Sequence, residues 1–124
     1  LSSQSTEVDK FVNDEYTGFL VSNQLIYETV KHMTRTANYT QLKKMNKQLP
    51  ILMISGKNDP FGEYGRGIKS LARKFKKAGI KHITVQLYAN RRHEILFEDD
   101  QQMIWNHMFD WIQKQVLKNN QSEA

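Results

Sequence analysis

Leu49-Pro50-Ile51-Leu52-Met53-Ile54-Ser55-Gly56-Lys57-Asn58-Asp59-Pro60 is the stretch on which the reading of the chain turns. Pro50 to Ile54 is an apolar run too short for a helix, bounded by Pro before and Ser-Gly after. That is the pattern of a buried strand. The strand stops at Gly56, and Lys57-Asn58-Asp59-Pro60 are turn formers. An acid is thereby delivered to the loop just past the carboxyl end of a buried parallel strand. Open α/β sheets build their sites at that edge.

Downstream, Gly62, Gly65 and Gly67 give a flexible lead-in to a helix whose apolar stripe is Ile68, Leu71, Ala72 and Phe75. Basic residues crowd its last turns, and Gly79 sits where a C-terminal cap belongs. Ile83 to Tyr88 alternates and is β-branched at its start, so it reads as a second strand. Strand, helix of about 12 residues and strand make a right-handed parallel crossover by default. The second strand also runs into a loop, Ala89-Asn90-Arg91-Arg92-His93-Glu94. Parallel strands end at the same edge of their sheet, so Asp59 and His93 are expected at one rim. Asp99-Asp100-Gln101-Gln102 then opens a last helix, with Ile104, Met108, Trp111 or Ile112, and Gln115 or Val116 at core spacing.

Upstream, Leu1 to Ser5 is polar and is expected to be poorly ordered. Thr6 is the expected cap of a short helix carrying Val8, Phe11 and Val12, and Glu15 to Phe19 is a loop rich in aromatics. Ser22 can cap a second helix, in which Ile26, Val30, Met33 and Ala37 recur at helical spacing. Asn38 to Gln48 is a polar link with room for one helical turn. The chain divides into a helical segment and linker over 1–48, a strand-helix-strand-helix part over 49–117, and a polar tail over 118–124. The aromatics and methionines of the helices are expected mainly in the core.

Composition sets the outer limits. A chain of 124 residues is one domain or less and can bury only a modest core. With 39% hydrophobic and 25% charged residues, global disorder is not expected. No apolar run approaches the roughly 20 residues of a membrane-spanning helix, and nothing at the start resembles a secretory signal. Zero cysteines exclude disulfides and thiolate chemistry and suit either redox compartment; a cytoplasmic setting is expected. The charge of +5 has one dense run, Arg73-Lys74-Phe75-Lys76-Lys77, but Phe75 falls on the apolar side of its helix. That run reads as a solvated face, and no nucleic-acid partner is expected. A start at Leu1, where a complete chain has Met, is expected of a piece of something longer.

An Asp and a His at neighbouring strand ends are two thirds of a nucleophilic relay. The carboxylate accepts the imidazole Nδ1–H, fixes the tautomer and stabilises the imidazolium; the other nitrogen takes a proton from a hydroxyl. The pair alone is a weak signal, since Asp59 also suits a turn before Pro60 and His93 an ordinary loop. Other chemistries fit less well. Phe97 stands where a zinc-protease helix motif starting at His93-Glu94 needs its second histidine, and His32, His82 and His107 lack ligand spacing, so no metal and no cofactor is expected. Gly62-Glu63-Tyr64-Gly65-Arg66-Gly67 fits neither phosphate-binding loop nor dinucleotide fingerprint.

The strand followed by Ser-Gly-Lys-Asn-Asp-Pro-Phe-Gly, the Gly-rich lead-in, the strand ending at Tyr88, and Arg92-His93-Glu94-Ile95-Leu96-Phe97-Glu98 together resemble the C-terminal part of α/β-hydrolases. The likeness is to the monoacylglycerol lipase, lysophospholipase and serine aminopeptidase-like group, and it covers roughly Val8 to Gln113. Asp9 to Phe19 is similar to that group's segment leaving the cap subdomain. The resemblance implies an α/β fold: two parallel strands with flanking helices, preceded by cap-derived helices. It makes Asp59 the triad acid and His93 the general base, and it places Glu94 and Glu98 at acidic positions that brace the histidine loop. Asn90 stands where relatives usually have Gly, and Asp14-Glu15 where they often have Asp-Pro.

The larger departure is an absence. The family places its serine upstream in a Gly-x-Ser-x-Gly elbow, and none of the 124 residues supplies that pentapeptide or the oxyanion-hole loop. The resemblance therefore implies the C-terminal part of a serine hydrolase acting on lipid-like or small carboxylic esters, inactive alone; the competing reading is a non-enzymatic interaction module. Tyr16, Phe19 and Phe61 are the expected contacts for an acyl chain, being loop aromatics near the rim. A strand edge left bare by the short sheet is expected to recruit a second copy.

Overall fold

The computed structural model of the chain describes residues 1–36 and 38–122, and their side chains as far as Lys118. Ala37, expected to close the stripe of the second helix, lies outside the described residues, as do the last two positions of the tail. The elements are α1 (Ser5–Asn13), α2 (Asn23–Thr36), α3 (Tyr39–Leu42), β1 (Ile51–Gly56), α4 (Arg66–Lys77), β2 (Ile83–Tyr88) and α5 (Gln101–Ser122). Short 3-10 turns at Glu63–Gly65 and Ile95–Phe97 precede α4 and α5. The architecture is α/β, as expected: two parallel strands flanked by helices.

β1 and β2 pair in parallel from Ile51 opposite Ile83 to Gly56 opposite Tyr88. The strand runs on through Ser55 and Gly56, two residues beyond the apolar run, because both are drawn into the ladder. Pairing does not stop where the strands do. The Lys57 N–H donates to the Tyr88 carbonyl and the Asn58 N–H to the Arg91 carbonyl, each at 2.8 Å. The two loops leaving the sheet are thus laced together. A Cβ on Gly56 would lie 2.0 Å from the Arg91 carbonyl oxygen, so only glycine lets the chains approach this closely.

α4 forms over the span its stripe predicts, with Ala72 buried and Ile68, Leu71 and Phe75 half-buried. It ends in a Schellman motif: Gly79 takes φ +95°, its N–H reaches the Lys76 carbonyl, and the Ile80 N–H reaches that of Phe75. Ile80 is then buried ahead of β2. The main apolar cluster lies at the carboxyl ends of the strands. Tyr88, Ile95 and Ile104 are buried there, with Ile54, Leu96 and Met108 packed against them. Of the alternatives on the last helix, Trp111 and Gln115 turn inward and Ile112 and Val116 outward. Trp111 Nε1 donates to Thr84 Oγ1 at 2.9 Å, tying α5 to β2.

The N-terminal part departs from expectation in three ways. Thr6 lies inside α1, not at its cap; Gln4 holds that position with no side-chain bond. The stripes on α1 and α2 bury nothing, since those helices find no facing apolar layer among the described residues. Leu1 to Ser3, expected to be loose, is tied to the loop after β2: the His93 N–H donates to the Leu1 carbonyl at 3.1 Å, and Ser2 is buried. Ser22 caps α2 as expected, through a 3.2 Å bond to the Leu25 N–H, and Asn38 caps α3.

Arg91 and Asp100 form an ion pair at 2.7 Å that pins the loop after β2 to the start of α5. The Arg91 hydrogen bond holds the Asp100 carboxyl below its ordinary range, and Asp100 in turn raises the guanidinium. The Tyr88 hydroxyl is pushed up by burial first and then by Asp100. Because the folded-state pKa of Asp100 lies below its unfolded value, its contribution is present above the unfolded carboxyl pKa. That contribution is lost as pH falls toward the folded value. Asp100→Asn is expected to cost at most about 1 kcal/mol at neutral pH and to flatten the acid limb of stability against pH, read by urea unfolding at several pH values. Gly56→Ala is expected to cost at least about 3 kcal/mol, by the same measurement, and to speed hydrogen exchange at the Asn58 amide.

Candidate active site

The loop after β1 folds around its own acid. Asp59 is buried, and the Phe61 N–H donates to its Oδ1 at 2.9 Å, an Asx-type turn that fixes the carboxylate plane. The Tyr64 N–H closes onto the Asp59 carbonyl at 2.9 Å. Glu63, Tyr64 and Gly65 take φ values of 51°, 55° and 83°, so the chain reverses through left-handed backbone into α4. A Cβ on Gly62 would stand 3.2 Å from Asp59 Oδ2 and 3.0 Å from Ser55 Oγ, so the bare glycine leaves the acid its room.

The loop after β2 brings the imidazole. It opens at Asn90 with φ +58°, a conformation that asparagine tolerates. His93 Nδ1 lies 3.1 Å from Asp59 Oδ2. The carboxylate side chain is only 7% exposed, while the imidazole is 48% exposed. Both groups are satisfied when the proton sits on Nδ1 and is donated to Asp59. That leaves the lone pair on Nε2, which has no hydrogen-bond partner among the described residues. A buried acid, an oriented imidazole and a free Nε2 form a base able to take a proton from an incoming hydroxyl.

The pair is held from behind. Glu98 is buried, and its carboxylate accepts the Arg92 N–H at 2.8 Å, the Ser3 N–H and the Ser3 hydroxyl. Ser2 Oγ donates to the Phe97 carbonyl at 2.8 Å. Glu98 thus braces the histidine loop, as the resemblance implied, but through the N-terminal segment. No pattern local to either stretch of sequence reveals the partnership with Ser3, because donor and acceptor lie 95 positions apart.

Of the expected acyl-chain contacts, Phe61 stands beside the base, its ring centroid 5.2 Å from that of His93, with its outer face open to solvent. Tyr16 and Phe19 project from the exposed loop between α1 and α2. A cleft of about 370 Å³ lies between α1 and the histidine loop, with Leu1, Phe11 and Phe97 as apolar lining and Glu7, Asp14 and Glu94 among its polar walls. Tyr16, Phe19 and Phe61 are not part of that lining. Phe97 could have been read from its place four residues after the histidine; Leu1 and Phe11 could not. The remaining histidines have structural neighbours: His32 near Glu28, His82 with Gln48, and His107 with the Tyr88 hydroxyl. Among the described residues no group of three or more His, Asp or Glu side chains converges as a metal site. No described helix is long and apolar enough to cross a membrane.

Comparisons with known proteins agree with this architecture. Residues 1–100 match the family described as serine aminopeptidase, S33. A highly thermostable carboxyl esterase from Bacillus coagulans, solved in complex with glycerol, superposes with a TM-score of 0.81 at 25% identity, over 91% of this chain and 37% of that one. A lipase in its open form superposes with a TM-score of 0.71 at 21% identity, over 82% of this chain and 33% of that one. The chain spans about a third of the length of these two solved structures. The search of curated proteins gave no match. The chain belongs to the serine aminopeptidase, S33 family of α/β-hydrolases.

Proposed function

We propose that this chain is the acid-and-base portion of a serine hydrolase acting on carboxylic esters, with Asp59 as the triad acid and His93 as the general base. The observation that carries the reading is the 3.1 Å contact between His93 Nδ1 and a buried Asp59 carboxylate, with Nε2 left open. Asp59 orients the ring and stabilises the imidazolium. Nε2 takes the proton of a serine hydroxyl as that oxygen attacks the ester carbonyl, then returns it to the leaving alcohol. The acyl-enzyme is hydrolysed by water along the same proton path. The serine and the oxyanion-hole donors are not among these 124 residues, which hold no Gly-x-Ser-x-Gly.

The substrate class we favour is a lipid monoester, a monoacylglycerol or a lysophospholipid. The apolar lining of the cleft beside the histidine loop supports it, and an esterase neighbour solved in complex with glycerol is in keeping with a glycerol ester. Phe61, against the imidazole, is placed to meet the group next to the scissile bond; Tyr16 and Phe19 are proposed as outer contacts for the acyl chain. Residues 1–48 are the segment returning from a cap, and 49–117 belong to the hydrolase core.

A second reading, a non-enzymatic interaction module, is favoured by the exposed apolar surface of α1, α2 and α5 and by the edge of β1 that does not face β2. That edge suits continuation of the sheet into a second copy. The chain alone is expected to sediment as a dimer or larger at micromolar concentration; a clean monomer contradicts edge pairing. On p-nitrophenyl esters it is expected to show only the background rate, and robust turnover that vanishes in His93→Ala would contradict the assignment of the serine elsewhere. In a longer form that carries the serine, His93→Ala is expected to lower kcat by at least about 10³-fold with little change in KM; an undiminished kcat favours the interaction module.

A further inference from the structure

The Glu98 carboxylate is buried, and none of the ion pairs among the described residues involves it. Arg91, in the same loop, is committed to Asp100 at 2.7 Å. Glu98 is instead solvated by donors from two distant places: the Arg92 N–H at 2.8 Å, and the Ser3 N–H at 3.1 Å together with the Ser3 hydroxyl. The Arg92 amide immediately precedes His93, and the His93 N–H itself donates to the Leu1 carbonyl at 3.1 Å. The two consecutive amides leading into His93 are therefore held, one by Glu98 and one by the strap Leu1–Ser3 that Glu98 anchors. The Ser2 hydroxyl stands 3.4 Å from the same carboxylate, and a buried carboxylate deprived of such donors is costly.

We propose that Glu98 is a positioning residue for the His93 base, locking the backbone that leads into His93 against the Leu1–Ser3 strap so that Nδ1 stays on Asp59. The inference rests on the acid–base reading of that pair. It has a consequence for substrate contact. The strap leads directly into α1, whose Glu7, Phe11 and Asp14 form one wall of the cleft, while Glu94 and Phe97 form the other. The same knot that aims the imidazole therefore joins the two walls, and displacement of α1 is transmitted to the ring.

Imidazole ¹H–¹⁵N correlation spectra of the 124-residue chain test this, recorded at about pH 8.5, where an ordinary histidine is neutral. In the unaltered chain the His93 proton is expected on Nδ1. Glu98→Ala is expected to lower the ratio of Nδ1–H to Nε2–H at least about threefold and to speed exchange at the Arg92 and His93 amides about tenfold, with the β1–β2 amides unchanged. Glu98→Gln, which keeps the shape but turns one acceptor into a donor, is expected to give an intermediate shift, and it carries the test if the alanine variant does not fold. Faster exchange at Arg92 with the His93 tautomer ratio unchanged in the folded variants would make Glu98 merely structural and overturn the proposal. An unaltered chain whose His93 is protonated mainly on Nε2 would overturn the acid–base reading and this inference with it.

Discussion

Two loops laced at the end of a two-stranded sheet set everything else in this chain. Parallel pairing of β1 and β2 ends at Gly56 opposite Tyr88, but the hydrogen bonds continue through Lys57 and Asn58 to Tyr88 and Arg91. Those bonds demand a backbone approach that a single Cβ at Gly56 would forbid. The separation of Asp59 and His93 follows from that approach, because each residue sits one to three positions beyond a laced amide or carbonyl. Side-chain chemistry at the site is thus inherited from backbone geometry, which needs no long-range electrostatics to assemble it.

The environment then differentiates the two groups. Asp59 sits under its own turn and keeps a carboxylate with two well-defined acceptors, one used by the Phe61 amide and one by the imidazole. His93 is half open to solvent, an exposure that the proposed role of general base requires. Behind the pair, the apolar cluster of Tyr88, Ile95 and Ile104 and the Arg91–Asp100 ion pair fix the second loop to α5. The ion pair is partly exposed and contributes little on its own; the buried cluster contributes the greater share.

Much of the core was legible in the sequence, because its signals are local. The run Pro50–Ile54 with its turn formers, the stripe of α4 closed by Gly79, and the alternation of Ile83–Tyr88 each predict one element. Parallel strands sharing an edge then put Asp59 and His93 together by topology alone. What stayed hidden depends on contacts between the ends of the chain. The order of Leu1–Ser3 follows from the needs of the buried Glu98 carboxylate, which lies some 95 positions away and shares no pattern with it. The stripes of α1 and α2 have the period of buried helices, but period says nothing about whether a facing surface is present, and here they stay exposed.

In the proposed reading the laced loops hold Asp59 and His93 as an acid–base pair. A crystal structure of the chain near neutral pH measures this most directly. His93 Nδ1 is expected within hydrogen-bond distance of Asp59 Oδ2, near 3.1 Å, with the Asn58 amide on the Arg91 carbonyl. Paired strands whose loops have parted, with His93 turned into solvent and Asp59 bonded elsewhere, would contradict it.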